Sequence, residues 1–447
     1  MALRASQGHF SLLFWGGNYG GALITWLEAP FLAVLGFHLW IFWVVDTIVT
    51  FLGVLVLRSV ASRFLTPVSS AVAAGTFWFF PALWLYWSSR EYVFWLPAIV
   101  LALTTCLLVL RWFEGGNTAT PYMLGLSAGL AIWCYPLVLP LVAPALLIFL
   151  WAERHHRGAL VRVTGSGFAG LSPWIIYFAV HGRSALHLQT TTGSRLTDLR
   201  HSVTIVLPTA LVAGQTRAGL IWTTSHPPPR FVGLAVYLAV LVCAVVFIVR
   251  RQISLAACAV SVLIWPIVLI VGHVPVSLAS FRYGLIVVPP LLLIACHLFS
   301  LLRVSLVVAV GALASVLLVT LPDTSSFRTA PVCNTTLSVT AKYLSAEGRT
   351  AAWGSYWLAS ALMVCSQPRI TVAAVQPDRD RAAEAAAAAA ARSTYIVFDG
   401  NELDQEIDAW NRSNRALAQR SVVPGGYVVW MFESRVSPAT MKLHGSF

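Results

Sequence analysis

The chain has 447 residues, of which 58% are hydrophobic and only 10% charged; its net charge is +12 and its mean hydropathy +0.77. Soluble domains carry about 25% charged residues, so a water-soluble enzyme, a disordered chain and a collagen-like fibre are excluded, leaving a multi-pass helical membrane protein. Residues 1–321 hold 17 basic and 6 acidic side chains and residues 322–447 hold 12 and 11, which sets a boundary near Leu321 between a membrane part and a soluble domain. Every basic residue of the membrane part is Arg, and many flank apolar runs. Topology and lipid headgroups account for them better than nucleic acid does.

In chain order, residues 1–35 come first, as an external interfacial segment. Gly8–Gly21 is rich in aromatics and glycine, too polar and too broken to span a membrane. Trp and Tyr favour the headgroup level. Ala22–Leu35 is apolar but too short for a span, which suits an interfacial or re-entrant helix. It carries Glu28, a carboxylate that either snorkels to the interface or lines a cavity.

Ten spans follow by length and hydropathy. Leu39–Leu57 ends at Arg58 and Arg63 and holds Asp46, an intramembrane carboxylate. Ser70–Trp87 and Tyr92–Leu110 come next, the latter ending at Arg111. Thr120–Trp151, broken by Pro136, Pro140 and Pro144, exceeds one straight span and reads as a tight hairpin of two. Val163–Val180, Phe231–Val249, Ile253–Val274, Gly284–Leu302 and Ser305–Leu321 complete the set. With this count every short Arg-bearing loop falls on one side, which the positive-inside rule makes cytoplasmic. The loop 181–230, Ser88–Glu91, Pro275–Tyr283 and residues 322–447 are then external. Inside the long loop, Val203–Val212 reads as a short interfacial helix.

After Pro322 the pattern changes to short strands alternating with helices, the mark of a small α/β domain. The expected strands are Thr350–Trp353, Ile370–Val375, Thr394–Phe398 and Tyr427–Phe432. The expected helices are Leu337–Ala346, Tyr356–Val364, Asp378–Ala391 and Glu402–Trp410. Cys333 and Cys365 are its two cysteines and can pair in an oxidising compartment. The other five lie in apolar runs and read as small core residues. No Cys/His cluster marks a metal site, and His155-His156 lack a third ligand.

Several blocks resemble bacterial membrane glycosyltransferases of the GT-C fold, the family 39 or protein-mannosyltransferase-like group. They are Phe14-Trp15-Gly16-Gly17-Asn18-Tyr19-Gly20-Gly21, then Trp26-Leu27-Glu28-Ala29-Pro30, Gly125–Pro140, Ser280-Phe281-Arg282-Tyr283, and in the soluble part Gly354–Ala359 with Phe398-Asp399-Gly400. The resemblance implies about ten spans with a small external α/β domain. It also implies transfer of a sugar from a polyprenyl-phosphate carrier to an acceptor hydroxyl at the outer face of the plasma membrane. A carboxylate would remove the acceptor proton, and arginines would hold the departing phosphate through their planar fork. Glu28 and Glu91 are the catalytic candidates. Arg282 and Arg90 are the phosphate-binding candidates, and Tyr19, Tyr92 and Tyr283 could position substrate. The partners implied are the lipid-linked sugar donor, membrane lipid and an unidentified glycan, lipid or protein acceptor. No cofactor stands out, and whether a divalent metal takes part is not legible.

Family members also keep an essential Asp shortly before the aromatic–glycine block. Here no acid precedes Glu28. An external N-terminus with no span to carry it points to the same gap, so the expectation is a first span and its Asp upstream of Met1. The alternative is a relative without its base: a catalytically inactive scaffold or lipid-binding protein. A transporter ranks third, since no internal repeat is visible and only Asp46 lies well inside a span.

Overall fold

The structure, a computed structural model, describes residues 1–13, 20–79, 95–182, 199–207, 230–272, 278–301, 335–354, 356–366, 369–375, 381–416, 418–423 and 426–443. It divides into two compact units, Met1–Ser326 and Phe327–Phe447.

The first unit is helical. A short α1 (Ala2–Ser6) packs on α2 (Leu23–Leu35), which packs on α3 (Leu39–Ala61). Then come α4 (Pro67–Phe79), α5 (Trp95–Phe113), α6 (Thr120–Cys134), α7 (Leu139–Ala152), α8 (Arg157–His181), α9 (Arg230–Val249), α10 (Ile253–Val271) and α11 (Val288–Leu301). Six of the described helices are long and apolar enough to cross a membrane. The ten spans read from the sequence are therefore not all full-length helices here. The continuation of α4 to Trp87 and the run Ser305–Leu321 lie outside the described residues. The span placed at Val163–Val180 begins earlier, at Arg157.

Thr120–Ala152 does form a hairpin, with shorter arms than a full span. Tyr135 is extended (φ −161°), and the 3₁₀ turn Pro136–Val138 reverses the chain. Pro136 and Pro140 sit where a helix start leaves N–H groups unused anyway, while Pro144 lies inside α7. Leu124 near the start of α6 shares an apolar cluster with Phe149 near the end of α7, so the arms are antiparallel. Helix α8 then runs parallel to α6 at very close range. A Cβ at Gly125 or Gly129 would overlap backbone atoms of Val163 or Gly167, and one at Gly170 would lie 2.6 Å from the Leu126 carbonyl oxygen. Small residues let two helix backbones meet where no hydrophobic force separates helix from lipid. A buried Thr105–Ser127 hydroxyl pair, 3.0 Å apart, ties α5 to α6.

The chain direction of these helices brings the arginine-bearing loops to one end of the bundle. There Arg63 forks onto Glu114 (Nε–Oε1 3.1 Å, Nη2–Oε2 3.2 Å), and Trp112 Nε1 donates to Glu153 Oε1 at 2.9 Å.

The second unit carries a five-stranded sheet in the order β2-β1-β3-β5-β4. Strands β1 (Ala351–Gly354), β2 (Thr371–Ala374) and β3 (Thr394–Phe398) are parallel. Strand β5 (Tyr427–Phe432) runs antiparallel to β3, with β4 (Ala418–Val423) antiparallel on its edge. Helices α12 (Thr335–Ala346), α13 (Tyr356–Cys365), α14 (Arg381–Ala389), α15 (Glu402–Asn414) and α16 (Pro438–Met441) complete the unit. Two apolar clusters, one including Leu344, Leu362 and Val429 and the other including Tyr395, Ile407 and Trp430, form its core. Strand β4 and helix α16 are not among the expected elements. Ala418–Val423 is half polar and mostly exposed, as an edge strand can be. Cys365 is disulfide-bonded; Cys333, its expected partner, lies outside the described residues.

Candidate functional site

At the end of the bundle away from the arginine loops, the N-terminal segment folds against the α6–α7 turn. Leu13 and Gly21 form an antiparallel bridge, and Gly21 N–H donates to the Cys134 carbonyl at 2.9 Å. A Cβ at Gly21 would lie 2.8 Å from the Trp133 ring, so only glycine lets the backbone come this near. Trp133 Nε1 donates to Leu12 O at 3.0 Å and Trp26 Nε1 to Ser11 O at 2.9 Å, with the two rings 5.0 Å apart. A second aromatic group continues from there. Trp95 meets Tyr135 at 6.0 Å and Tyr283 at 6.4 Å, and Trp265 Nε1 donates to Tyr283 O at 2.9 Å. The indole N–H groups of Trp26, Trp133 and Trp265 thus find carbonyls along these contacts, as such groups usually must when buried.

Glu28 lies on the protein-facing stripe of α2 with Ile24, Thr25, Ala29 and Leu32 and is fully buried (0% exposed). Its carboxylate is therefore shielded within the bundle rather than exposed on its surface. Ile24, one turn earlier, shares the stripe, as i and i+4 positions do. Asp46 is likewise enclosed (1% exposed) on α3. It lies seven residues, about 10 Å, from the start of that helix, in the half nearer the aromatic end. Charged groups in such surroundings are costly and mark functional positions in membrane proteins.

The remaining candidates fall differently. Tyr283 is buried within the aromatic group. Arg282 precedes it on the 3₁₀ helix Leu278–Val287, which runs into α11; its side chain is outside the described set. Tyr19, Arg90, Glu91 and Tyr92 lie outside the described residues. Of the expected helix Val203–Val212, the described part forms a wide helical turn at Ser202–Val206 that packs on α9 and on that 3₁₀ helix, and residues 208–212 lie outside the described residues. Sequence reading overlooked Trp95, Trp133, Tyr135 and Trp265. Their signal was aromatic residues at or near the ends of apolar runs, which belt residues share. Among the described residues no three His, Cys, Asp or Glu side chains gather as a metal site would require.

In the second unit, Asp399 closes β3 and Asp404 lies in the first turn of α15. Arg420 Nη2 reaches Asp399 Oδ1 at 2.6 Å and Asp404 Oδ2 at 2.8 Å. Trp430 Nε1 donates to Asp404 Oδ1 at 2.7 Å and Gly400 N–H to Oδ2 at 2.9 Å. Burial pushes the Asp404 carboxyl up, but hydrogen bonds from Arg420, Gly400 and Trp430 together hold it below its ordinary value. Every oxygen of Asp404 is used in tying helix to sheet, so this cluster fastens the fold.

No protein-family profile matches the chain, and no curated protein does. Among solved structures it is similar to ArnT from Cupriavidus metallidurans bound to undecaprenyl phosphate, at 10% sequence identity and a TM-score of 0.57. The similarity covers 96% of this chain and 92% of that one. The chain is thus a membrane protein with the GT-C fold, ending in a small sheet-bearing unit.

Proposed function

We propose that the protein is a glycosyltransferase that moves a sugar from a polyprenyl-phosphate carrier to an acceptor at the outer face of the plasma membrane, where Phe327–Phe447 also lies. The observation that carries the reading is the near whole-chain correspondence with ArnT, a structure containing undecaprenyl phosphate. The site is the aromatic end of the bundle. Glu28, enclosed on α2, or Glu91 takes the acceptor proton. Arg282, beside Tyr283 at the start of the last described span, and Arg90 hold the departing phosphate. Tyr19, Tyr92 and Tyr283 position the substrate.

The test is reconstituted protein with a polyprenyl-phosphate-linked sugar. Glu28→Gln, which keeps shape and removes the base, is expected to lower turnover by about 10²–10⁴-fold while donor binding stays unchanged. Arg282→Ala is expected to weaken donor binding instead. Failure of the wild-type protein to bind polyprenyl phosphate would sink the proposal. Binding without transfer to any acceptor would favour a non-catalytic lipid-binding relative.

A further inference from the structure

The arginine end contains a cavity of about 890 Å³, near the upper limit of roughly 300–1,000 Å³ for ligand pockets. Its walls come from α5, α7, α10 and α11 and are mostly apolar, with Leu110, Leu141, Ile148 and Leu293 among them. Leu147, Trp151 and Ile253 line it and are also exposed on the bundle surface, so it opens sideways, where a bilayer would lie.

Its polar groups are unusual for such a place. Gln252 Oε1 and both ring nitrogens of His297 are buried and have no hydrogen-bond partner among the described residues, and His297 is only 8% exposed. Buried polar atoms in native proteins nearly always have partners, so these three atoms call for a ligand that offers both donors and acceptors. Arg63 on the rim is already matched by Glu114. Arg251, also on the rim, takes part in no ion pair among the described residues. Its backbone is left-handed (φ 58°), a conformation that disfavours any residue with a Cβ. Glycine would relieve that strain but would remove the guanidinium from the cavity mouth.

The geometry points to an anionic glycerophospholipid bound in this cavity. An acyl chain lies along the apolar walls, the phosphate meets Arg251, and a hydroxyl-bearing headgroup donates to Gln252 Oε1. Headgroup hydroxyls and ester carbonyls also give the His297 ring a donor and an acceptor. A polyprenyl phosphate fits less well, because its phosphate offers chiefly acceptors and leaves Gln252 Oε1 unmatched. By the distribution of arginines this is the cytoplasmic leaflet, opposite the site proposed for transfer, and the inference stands independently of that reaction.

Native mass spectrometry of the full chain, delipidated and then supplied with phosphatidylglycerol, phosphatidylcholine or undecaprenyl phosphate, tests it. Phosphatidylglycerol should be retained over phosphatidylcholine. Arg251→Gly should fold at least as well as wild type and retain phosphatidylglycerol about tenfold less, as expected from losing one charge-assisted hydrogen bond. Ala257→Phe, which fills the cavity, should abolish retention, with its melting temperature confirming a folded protein. Equal retention of the two phospholipids, or retention untouched by both variants, would overturn the proposal. So would displacement of bound phosphatidylglycerol by undecaprenyl phosphate in the wild-type protein.

Discussion

The α6–α8 contact allows a prediction in which the packing contribution can be isolated. Gly165 and Gly170 lie on the same helix, α8. A Cβ at Gly165 would meet nothing within 4 Å, whereas one at Gly170 would lie 2.6 Å from Leu126 O and 2.8 Å from Leu130 N. Both neighbours are backbone atoms, which no rotamer change can move aside. Replacing either glycine by alanine brings the same helix-propensity gain, about 1 kcal/mol, and the same reduction in unfolded-chain freedom. Those contributions cancel in the difference, and what remains is the cost of prising two helices apart. Overpacking of this kind costs about 1–3 kcal/mol. Gly165→Ala should therefore melt above wild type, and Gly170→Ala should melt below Gly165→Ala by several degrees, at roughly 2–4 °C or less per kcal/mol for a unit of this size. Gly167→Ala should fall between them, because its Cβ would lie 3.6 Å from Gly125 O, an ordinary contact. The assay is tryptophan-fluorescence melting of detergent-solubilised protein at fixed detergent and lipid. If Gly170→Ala melts at or above Gly165→Ala, the two backbones do not meet here.

Two further outcomes concern the second unit. Asp404 is held below its ordinary pKa, so its bonds to Arg420, Gly400 and Trp430 stabilise the fold fully above the unfolded value of about 3.9 and fade as pH falls through the lower folded value. Asp404→Asn should cost about 1–2 kcal/mol at neutral pH, the lower part of the range for hydrogen bonds to charged groups because Arg420 is partly exposed. The gap to wild type should narrow as pH falls below about 3.9; hydrogen exchange of the β3 and β5 amides in the full chain reads both, and a gap that widened in acid would refute the sign. Cys365 should resist a membrane-impermeant maleimide until a reductant is added, since it is disulfide-bonded; immediate labelling of the unreduced protein would contradict this.

The sheet unit was legible because each strand and helix there is short, bounded and alternates in a simple order. Thr394–Phe398 and Tyr427–Phe432 appear with the ends read from sequence. Strand β4 escaped because Ala418, Gln419, Arg420 and Ser421 lack the apolar alternation of a half-buried strand. In the membrane unit, hydropathy found the long helices but not their local geometry. Pro136 signalled the hairpin, while the short 3₁₀ turn that makes it leaves no periodic mark. The burial of Glu28 was not readable, because an acid in a short apolar helix looks the same whether α2 turns it outward or inward. Nothing in the sequence marks Gly125, Gly129 and Gly170 as a contact surface; only the neighbouring helix shows what they leave room for.

The two ends of the membrane unit are held by different chemistry, and this separates their roles. At the arginine end, Arg63 pairs with Glu114 and His156 contacts Glu153. The aromatic end is tied by neutral indole donors to backbone carbonyls, at Trp26, Trp133 and Trp265. The same end also encloses the carboxylates Glu28 and Asp46. In a low-dielectric interior a carboxylate repels a phosphate strongly unless a cation stands between them. A phosphate carrier can therefore be accepted at this end only with arginines close by, which is the demand that Arg282 and Arg90 meet in the proposed reaction. At the other end the acids are already matched, and Arg251 is left to face an incoming anion.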